Sequence, residues 1–253
     1  KLEVDGKREE LIILSAKTQE ALKQQAVNLA GYLTKHEEIK LPDIAHTLKA
    51  GREEFRHRLC LTGSCHAELA SALSSMDKQK ITMQKALADS GSLVFMFPGG
   101  GAQYLQMGRD LYASELIFRE SVDKGLSLFQ QRSGINLKAV WFVDDIDSEK
   151  AIKEFHRPSL QLPAIFILEM ALVELWASIG IKPTAMIGHS LGENTAACVA
   201  GVISYEDALG LVSLRGKLFE TVEPGGMLSI ALSKEELIPY LSDEFDLATI
   251  NSA

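Results

Sequence analysis

The N-terminal third of the chain alternates between short apolar runs and longer segments with helical periodicity. Apolar runs at 10–16 and 57–63 predict two strands. Apolar residues recur at helical spacing through 17–33, which predicts an amphipathic helix. Two further helices are predicted at 41–52 and 65–73. This pattern indicates a small α/β unit.

The pattern changes near residue 90, where we place a joint between two domains. The apolar run at 92–97 has no polar alternation, which is typical of a parallel strand buried on both faces. Helices are predicted at 105–133 and 158–179, and a second strand at 184–187. This order of strands and helices predicts an α/β sheet with helices on both faces.

The last part of the chain predicts one more strand-helix-strand unit. Its strands are expected at 225–232 and 246–253, with a helix between them at 234–241. The sequence shows no internal repeat and no low-complexity tract.

Composition is that of an ordinary globular protein. Hydrophobic residues make up 46% and charged residues 24% of the 253 residues, enough for a substantial core. The net charge of −8, without a long basic cluster, argues against a nucleic-acid partner. The apolar segment 162–181 contains Glu169 and Glu174, which favours a buried helix over a membrane span. The three cysteines have no metal-ligand spacing and fit a reducing cytoplasm.

The most specific chemical signal is Gly-His-Ser-Leu-Gly at 188–192, between a predicted strand and an alanine-rich predicted helix. Such a turn is sharp, and Gly188 and Gly192 remove side chains that would collide, which leaves the Ser190 hydroxyl exposed. The amide of Leu191 lies at a helix N-terminus, where N–H groups are free to bind an anion. A serine N-cap in a tight turn is the structural alternative, but the strand and helix around it favour a nucleophile.

A second glycine-rich loop, FPGGGAQY at 97–104, also follows a predicted strand. Its amides could face an oxyanion from the side opposite Leu191. A phosphate-binding loop is the rival interpretation, but Ala102 and Gln103 stand where the Walker A motif needs Lys and Ser or Thr, and Tyr104 breaks the dinucleotide-binding pattern. A loop whose glycines only turn the chain is the structural alternative.

Three segments, in this order and spacing, carry a family resemblance: FPGGGAQYLQMGRDLY, GHSLGE and VSLRGKLFE. They resemble the acyltransferase domains of polyketide synthases and the related malonyl-CoA:acyl-carrier-protein transacylase. Residues 1–90 resemble the α/β linker domain between ketosynthase and acyltransferase. The resemblance implies that 91–253 belong to the acyltransferase domain, with an α/β-hydrolase-like parallel-sheet core at 91–224. The start of a ferredoxin-like small subdomain is then expected at 225–253.

The resemblance also implies roles for individual residues. Ser190 matches the nucleophile that carries the acyl group as an ester. Gly100 and Leu191 match the residues whose backbone amides form the oxyanion hole, and Gly100 replaces a glutamine that is common in the family. Arg215 matches the arginine that pairs with the free carboxylate of a malonyl group. Without the family, a salt bridge at the surface or at a helix end is the better interpretation of Arg215.

The implied reaction moves malonyl from malonyl-CoA to the phosphopantetheine thiol of an acyl carrier protein. Leu191 resembles the malonyl-selecting form of the motif. No bound cofactor and no metal are implied. The implied partners are the carrier protein, the coenzyme A thioester and a ketosynthase domain of the same polypeptide. A cytoplasmic location is expected, without nucleic acid or membrane.

One expected residue has no match in the sequence. In the family the base is a histidine well downstream of the serine, but the 63 residues after Ser190 contain none. His189 and His156 lie closest in sequence, and we interpret both as structural. We therefore expect the chain to be a piece of a longer polypeptide. A serine hydrolase such as a thioesterase, and a non-catalytic docking fragment of the synthase, are the alternatives.

Overall fold

The computed structural model describes residues 9–86, 91–223, 225–242 and 244–250. Buried hydrophobic side chains form two separate cores. One core is built from residues between Ile12 and Ile81. The other is larger and is built from residues between Met107 and Val212. The predicted joint near residue 90 falls at the segment 87–90, which lies outside the described residues.

The N-terminal unit is a three-stranded antiparallel sheet with helices. Its elements, in chain order, are β1 Glu10–Ala16, α1 Gln19–Lys35, α2 Leu41–Ala50, β2 His57–Gly63, α3 His66–Ser75 and β3 Thr82–Lys85. The strand order is β1-β2-β3, with Ile12 opposite Leu61 and Leu59 opposite Met83. The predicted strands and helices of this unit are confirmed. Strand β3 was not predicted, because its sequence is mostly polar.

The second unit contains two parallel strands and most of the helices. Its elements, in chain order, are β4 Val94–Phe97, α4 Arg109–Ser114, α5 Leu116–Ser133, α6 Leu137–Trp141, α7 Glu149–Phe155, α8 Pro158–Ser178, β5 Ala185–Gly188, α9 Gly192–Val199, α10 Tyr205–Phe219 and α11 Lys234–Leu237. β4 and β5 pair in parallel, with Phe97 beside Gly188. The predicted α/β class is confirmed.

Helix α8 is the centre of the larger core. It begins at Pro158, whose fixed φ suits the first turn of a helix. Ala164, Phe166 and Ile167 are fully buried, and α5 and α10 pack along the helix. By length and composition α8 could cross a membrane, but 56% of its most apolar window is buried in the protein. The predicted buried helix at 158–179 is confirmed.

Two predictions about the second unit are wrong in detail. The helix predicted at 105–133 is divided into α4 and α5, because Glu115 has extended backbone angles. The run at 92–97 is not buried on both faces. Val94 is 49% exposed, Met96 77% and Ile187 56%, so one face of the β4-β5 pair is uncovered in the described structure.

The predicted strands near the C-terminus are also wrong where the structure describes them. Neither 225–232 nor 246–250 is a strand, and 251–253 lie outside the described residues. Met227 and Leu228 are 91% and 83% exposed. A strand needs a partner for its backbone groups, and apolar composition does not supply one. Of this unit only the predicted helix is present, as α11 and a 3-10 turn that follows it.

Two helix glycines give a matched test of packing. A Cβ on Gly125 in α5 would lie 2.5 Å from Tyr205 Oη and 2.7 Å from Ile167 Cγ1, whereas a Cβ on Gly31 in α1 meets nothing within 4 Å. We expect Gly125→Ala to lower the free energy of unfolding by about 1–3 kcal/mol through overpacking. Gly31→Ala should raise it by about 1 kcal/mol through helix propensity. Denaturant unfolding measures both, and a stabilising Gly125→Ala would contradict the packing.

Candidate active site

The turn between β5 and α9 has Ser190 at its tip. Ser190 has φ +52°, in the left-handed region. Residues with a Cβ avoid this region, at a cost of about 1–2 kcal/mol, because the Cβ crowds the following carbonyl. Backbone hydrogen bonds hold the turn, from His189 N to Phe97 O at 3.0 Å and from Glu193 N to Ser190 O at 3.2 Å. Ser190 is exposed at this tip.

Close packing of the backbone explains the two glycines of the turn. A Cβ on Gly188 would lie 2.2 Å from Glu193 N, and a Cβ on Gly192 would lie 2.1 Å from Phe97 O. Both distances are far below van der Waals contact, so no other residue fits without movement of the backbone. The glycines therefore allow β4, β5 and α9 to approach, while Ser190 itself adopts the left-handed conformation.

The glycine-rich loop after β4 lies against the same turn. Gly99 is buried, and a Cβ there would lie 2.8 Å from His189 O and 3.0 Å from Ser190 Cβ. Gly100 is exposed, and a Cβ there would lie 3.6 Å from Leu162 Cδ2, an ordinary contact. The Cβ of the glutamine that is common at this position in the family would therefore fit. The structure brings the two glycine-rich loops together.

The amides of Gly100 and Leu191 have no protein acceptor within the described ranges. Leu191 precedes the first residue of α9, and its fully buried side chain belongs to the larger core. Next to Gly100, the amide of Gly101 donates to Gln103 Oε1 at 2.8 Å. Unpaired amides near a hydroxyl nucleophile are what a tetrahedral oxyanion requires. The assignment of these two amides to an oxyanion hole stays a prediction.

Arg215 in α10 contacts the Ser190 hydroxyl directly. Its Nη2 donates to Ser190 Oγ at 3.0 Å. The guanidinium carbon lies 5.4 Å from the centre of the Phe219 ring, in a cation–π contact. In the described part of the chain no carboxylate pairs with Arg215. The arginine therefore presents an unpaired positive charge beside the hydroxyl, but it cannot act as a base because it keeps its proton.

Helix α8 positions α10, and with it Arg215. A Cβ on Gly216 would lie 2.4 Å from Pro158 O, so the glycine allows the two helices to touch. At the end of α10, Glu220 accepts hydrogen bonds from Arg157 Nη2 at 3.0 Å and from Ser159 N at 3.1 Å. The Arg157 hydrogen bond, followed by those from Ser159, lowers the pKa of Glu220. The carboxylate is thus held ionised between the two helices.

No histidine hydrogen-bonds to Ser190 in the described structure. His189 is exposed, but its Nδ1 would lie 3.3 Å from a Cβ on Gly99, so its ring lies at the bend beside the glycine-rich loop. His156 is also exposed, at the end of α7. Among the described residues no group of three or more His, Cys, Asp or Glu could hold a metal ion. The base for Ser190 is therefore not identified among these residues.

A buried polar pair behind the turn was not predicted from the sequence. Glu169 in α8 is only 5% exposed, and its Oε2 accepts a hydrogen bond from Thr195 Oγ1 in α9. Burial raises the pKa of Glu169 to about 7, and the Thr195 hydrogen bond acts in the opposite direction. The available signal was an acid inside an apolar helix, since buried acids are rare unless they are paired.

A parallel strand, a strained serine turn and a helix, in this order, have the geometry of a nucleophile elbow in an α/β protein. Residues 94–253 match the acyl transferase domain family, and residues 10–73 match the family described as CurL-like, PKS C-terminal. The chain belongs to the acyl transferase domain family of modular polyketide synthases. The resemblance inferred from the three motifs is confirmed.

Relatives cover nearly the whole chain. Mycoketide-CoA synthase of Mycobacterium tuberculosis is 34% identical over 243 residues, which are 94% of this chain and 6% of that protein. The solved acyl transferase domain of ZmaA is 36% identical with a TM-score of 0.85, over 91% of this chain and 53% of that one. The SpnD acyl transferase domain, solved in complex with 2-(pent-4-yn-1-yl)malonyl, is 32% identical with a TM-score of 0.71. This match covers 84% of the present chain and 49% of the SpnD chain. The chain thus spans about half of these solved domains.

The backbone strain at Ser190 can be measured. Ser190→Gly should relieve the strain of the positive φ, while Ser190→Ala should retain it. We expect the glycine variant to be more stable than the alanine variant by about 1 kcal/mol. Unfolding in urea measures the difference. Equal stabilities would contradict a strained left-handed backbone at this position.

The buried acid predicts a pH-dependent stability. Because the pKa of Glu169 is raised from 4.5 to about 7 on folding, the native state keeps a proton that the unfolded chain releases between these values. The stabilisation from this group is therefore full below about pH 4.5 and is lost as pH rises through about 7. Glu169→Gln cannot ionise at this position. The free energy of unfolding of Glu169→Gln, relative to that of wild type, should therefore increase as pH rises from about 4.5 to about 7.

Thermal unfolding at several pH values checks this expectation. Glu174→Gln is the matched control, because Glu174 lies on the same helix and is only half-buried. The difference in unfolding temperature between Glu174→Gln and wild type should stay nearly constant with pH. A pH-independent difference between Glu169→Gln and wild type would contradict the raised pKa.

Proposed function

We propose that this domain transfers a malonyl group from malonyl-CoA to the phosphopantetheine thiol of an acyl carrier protein, through an ester on Ser190. Membership of the family supports acyl transfer. The observation that carries the finer proposal is the contact of Arg215 with the Ser190 hydroxyl, at 3.0 Å. It puts a cation that suits a carboxylate at the attacking oxygen.

The choice of acyl group follows from Arg215. A guanidinium binds a carboxylate through two parallel N–H donors, and malonyl carries a free carboxylate beyond its thioester. Binding of this carboxylate would draw Arg215 away from Ser190 Oγ and free the oxygen to attack. An acetyl group has no second carboxylate, so it cannot replace Ser190 Oγ as the partner of Arg215. The SpnD relative, solved with a substituted malonyl group, supports this choice of class.

The reaction has two balanced steps. Ser190 Oγ attacks the thioester carbonyl, and the amides of Gly100 and Leu191 stabilise the oxyanion. The C–S bond then breaks, and coenzyme A leaves as a thiol with the proton that the serine lost. In the second step the phosphopantetheine thiol attacks the ester carbonyl, and the C–O bond to Ser190 Oγ breaks. The thiol proton goes to the serine oxygen, and the malonyl thioester of the carrier is formed.

The N-terminal unit has a separate role in the proposal. Its match to the CurL-like, PKS C-terminal family covers 10–73. We propose that it is the linker domain next to a ketosynthase of the same polypeptide. Its free cysteines, Cys60 and Cys65, fit a reducing cytoplasm.

Intact-protein mass spectrometry tests the transfer. We expect malonyl-CoA to add one malonyl group to the wild-type protein, slowly by itself and faster with imidazole as a base in solution, because no histidine contacts Ser190 in the described residues. Ser190→Ala should stay unmodified. Addition of pantetheine should remove the label. No labelling with imidazole, or equal labelling of Ser190→Ala, would contradict the proposal.

The same assay tests the role of Arg215. Arg215→Ala should slow labelling by malonyl-CoA about 10- to 100-fold, as expected for the loss of a charged hydrogen-bonded pair. Labelling by acetyl-CoA should change little. Arg157→Ala is the matched control, because this arginine also contacts α10 but pairs with Glu220. Equal effects of Arg215→Ala on both donors would contradict a role in carboxylate binding.

A further inference from the structure

A buried carboxyl group joins two helices behind the elbow. Glu169 lies in α8 and is 5% exposed, while Thr195 lies in α9 and is fully buried. The Thr195 hydroxyl donates to Glu169 Oε2. The other oxygen, Oε1, is buried without a hydrogen-bond partner in the described structure. Neither residue has a role in the proposed transfer, so the pair needs another explanation.

The place of Thr195 connects the pair to the active site. Thr195 lies one turn into α9, a helix of eight residues that begins directly after Ser190 and Leu191. A helix this short moves as one body, so an anchor at Thr195 also holds the serine turn and the Leu191 amide. In the described ranges, the bond to Glu169 is the only side-chain hydrogen bond between α8 and α9.

The anchor depends on the charge state of Glu169. Burial raises the pKa of Glu169, and the Thr195 hydroxyl lowers it. The half-buried titratable side chains on the described helices around it are Arg119 in α5, Glu174 in α8, Cys198 in α9, and Tyr205 and Arg215 in α10. None of them forms a hydrogen bond or ion pair with Glu169 in the described structure. The neutral acid needs no counter-ion. The ionised acid would be a buried charge without one, which is costly and favours movement of the helix or entry of water.

We propose that Glu169 and Thr195 are a positioning pair for the elbow. The hydrogen bond from Thr195 to Glu169 anchors α9 to α8. Ionisation does not remove this bond, but it leaves a buried carboxylate that is stabilised when water enters, and this favours opening of the α8–α9 contact and loosens the Ser190 turn and the Leu191 amide. The importance of this turn for catalysis rests on the proposed function, but the anchoring itself does not.

Hydrogen exchange of the α9 segment tests the pair without any acyl transfer. Exchange is followed by mass spectrometry from about pH 5.5 to about pH 8.5 and corrected for the intrinsic rate at each pH. In wild type the protection of residues 190–196 should fall by about tenfold as pH rises through this range. Glu169→Gln, which keeps the shape and an acceptor but cannot ionise, should keep its protection throughout.

Variants at Thr195 separate anchoring from general stability. Thr195→Val keeps the shape but removes the donor, so protection should already be low at acidic pH. Thr195→Ser should restore the wild-type profile. Glu174→Gln, on the same helix, is the control that should leave the profile unchanged. Wild-type protection that does not vary with pH, or a Thr195→Val profile like that of wild type, would overturn the proposal.

The outcome stays distinct from that of the proposed function. If hydrogen exchange does not vary with pH but Ser190 is labelled by malonyl-CoA, the positioning pair is contradicted and the transfer is supported. If exchange varies with pH as expected but Ser190 is not labelled, the pair is supported and the transfer is contradicted. If both proposals hold, the rate of Ser190 labelling should vary with pH near neutrality in wild type. In Glu169→Gln this variation should be absent.

Discussion

The close approach of three backbone segments at the elbow determines the rest of the site. α9 begins at Gly192, directly against the end of β4, and a Cβ there would lie 2.1 Å from Phe97 O. Because no side chain fits, glycine is needed on both sides of the serine, and Ser190 takes the left-handed backbone that the tight turn imposes. The exposure of the hydroxyl and the contact with the second glycine-rich loop follow from this packing.

Helix α8 supports both halves of the site. Glu169 binds Thr195 in α9, which continues from the serine turn. At its start, α8 meets the backbone of α10 at Gly216, directly after Arg215. Ser190 and Arg215 are 25 residues apart in the sequence but are held by one helix, within hydrogen-bond distance. The contact of cation and hydroxyl is therefore a property of how three helices pack.

Local features could be predicted from the sequence, whereas features that depend on a partner could not. Helical spacing and the glycines around Ser190 are properties of single segments, and the elements they predicted are present, although the helix predicted at 105–133 is divided in two. The run at 225–232 is apolar but has no strand beside it in the described structure, whereas the polar segment 82–85 is a strand because it pairs with β2. Arg215 was suggested only by the family. The link from Glu169 to α9 required the packed structure, since the sequence does not show which helix faces a buried acid.

The proposed transfer requires that the Ser190 oxygen accepts the acyl group. The most direct measurement is peptide mapping by tandem mass spectrometry after incubation with malonyl-CoA and imidazole. We expect a malonyl ester on Ser190 in the peptide that contains the elbow. A malonyl group on another side chain, such as the thiol of Cys198, with Ser190 unmodified, would contradict it.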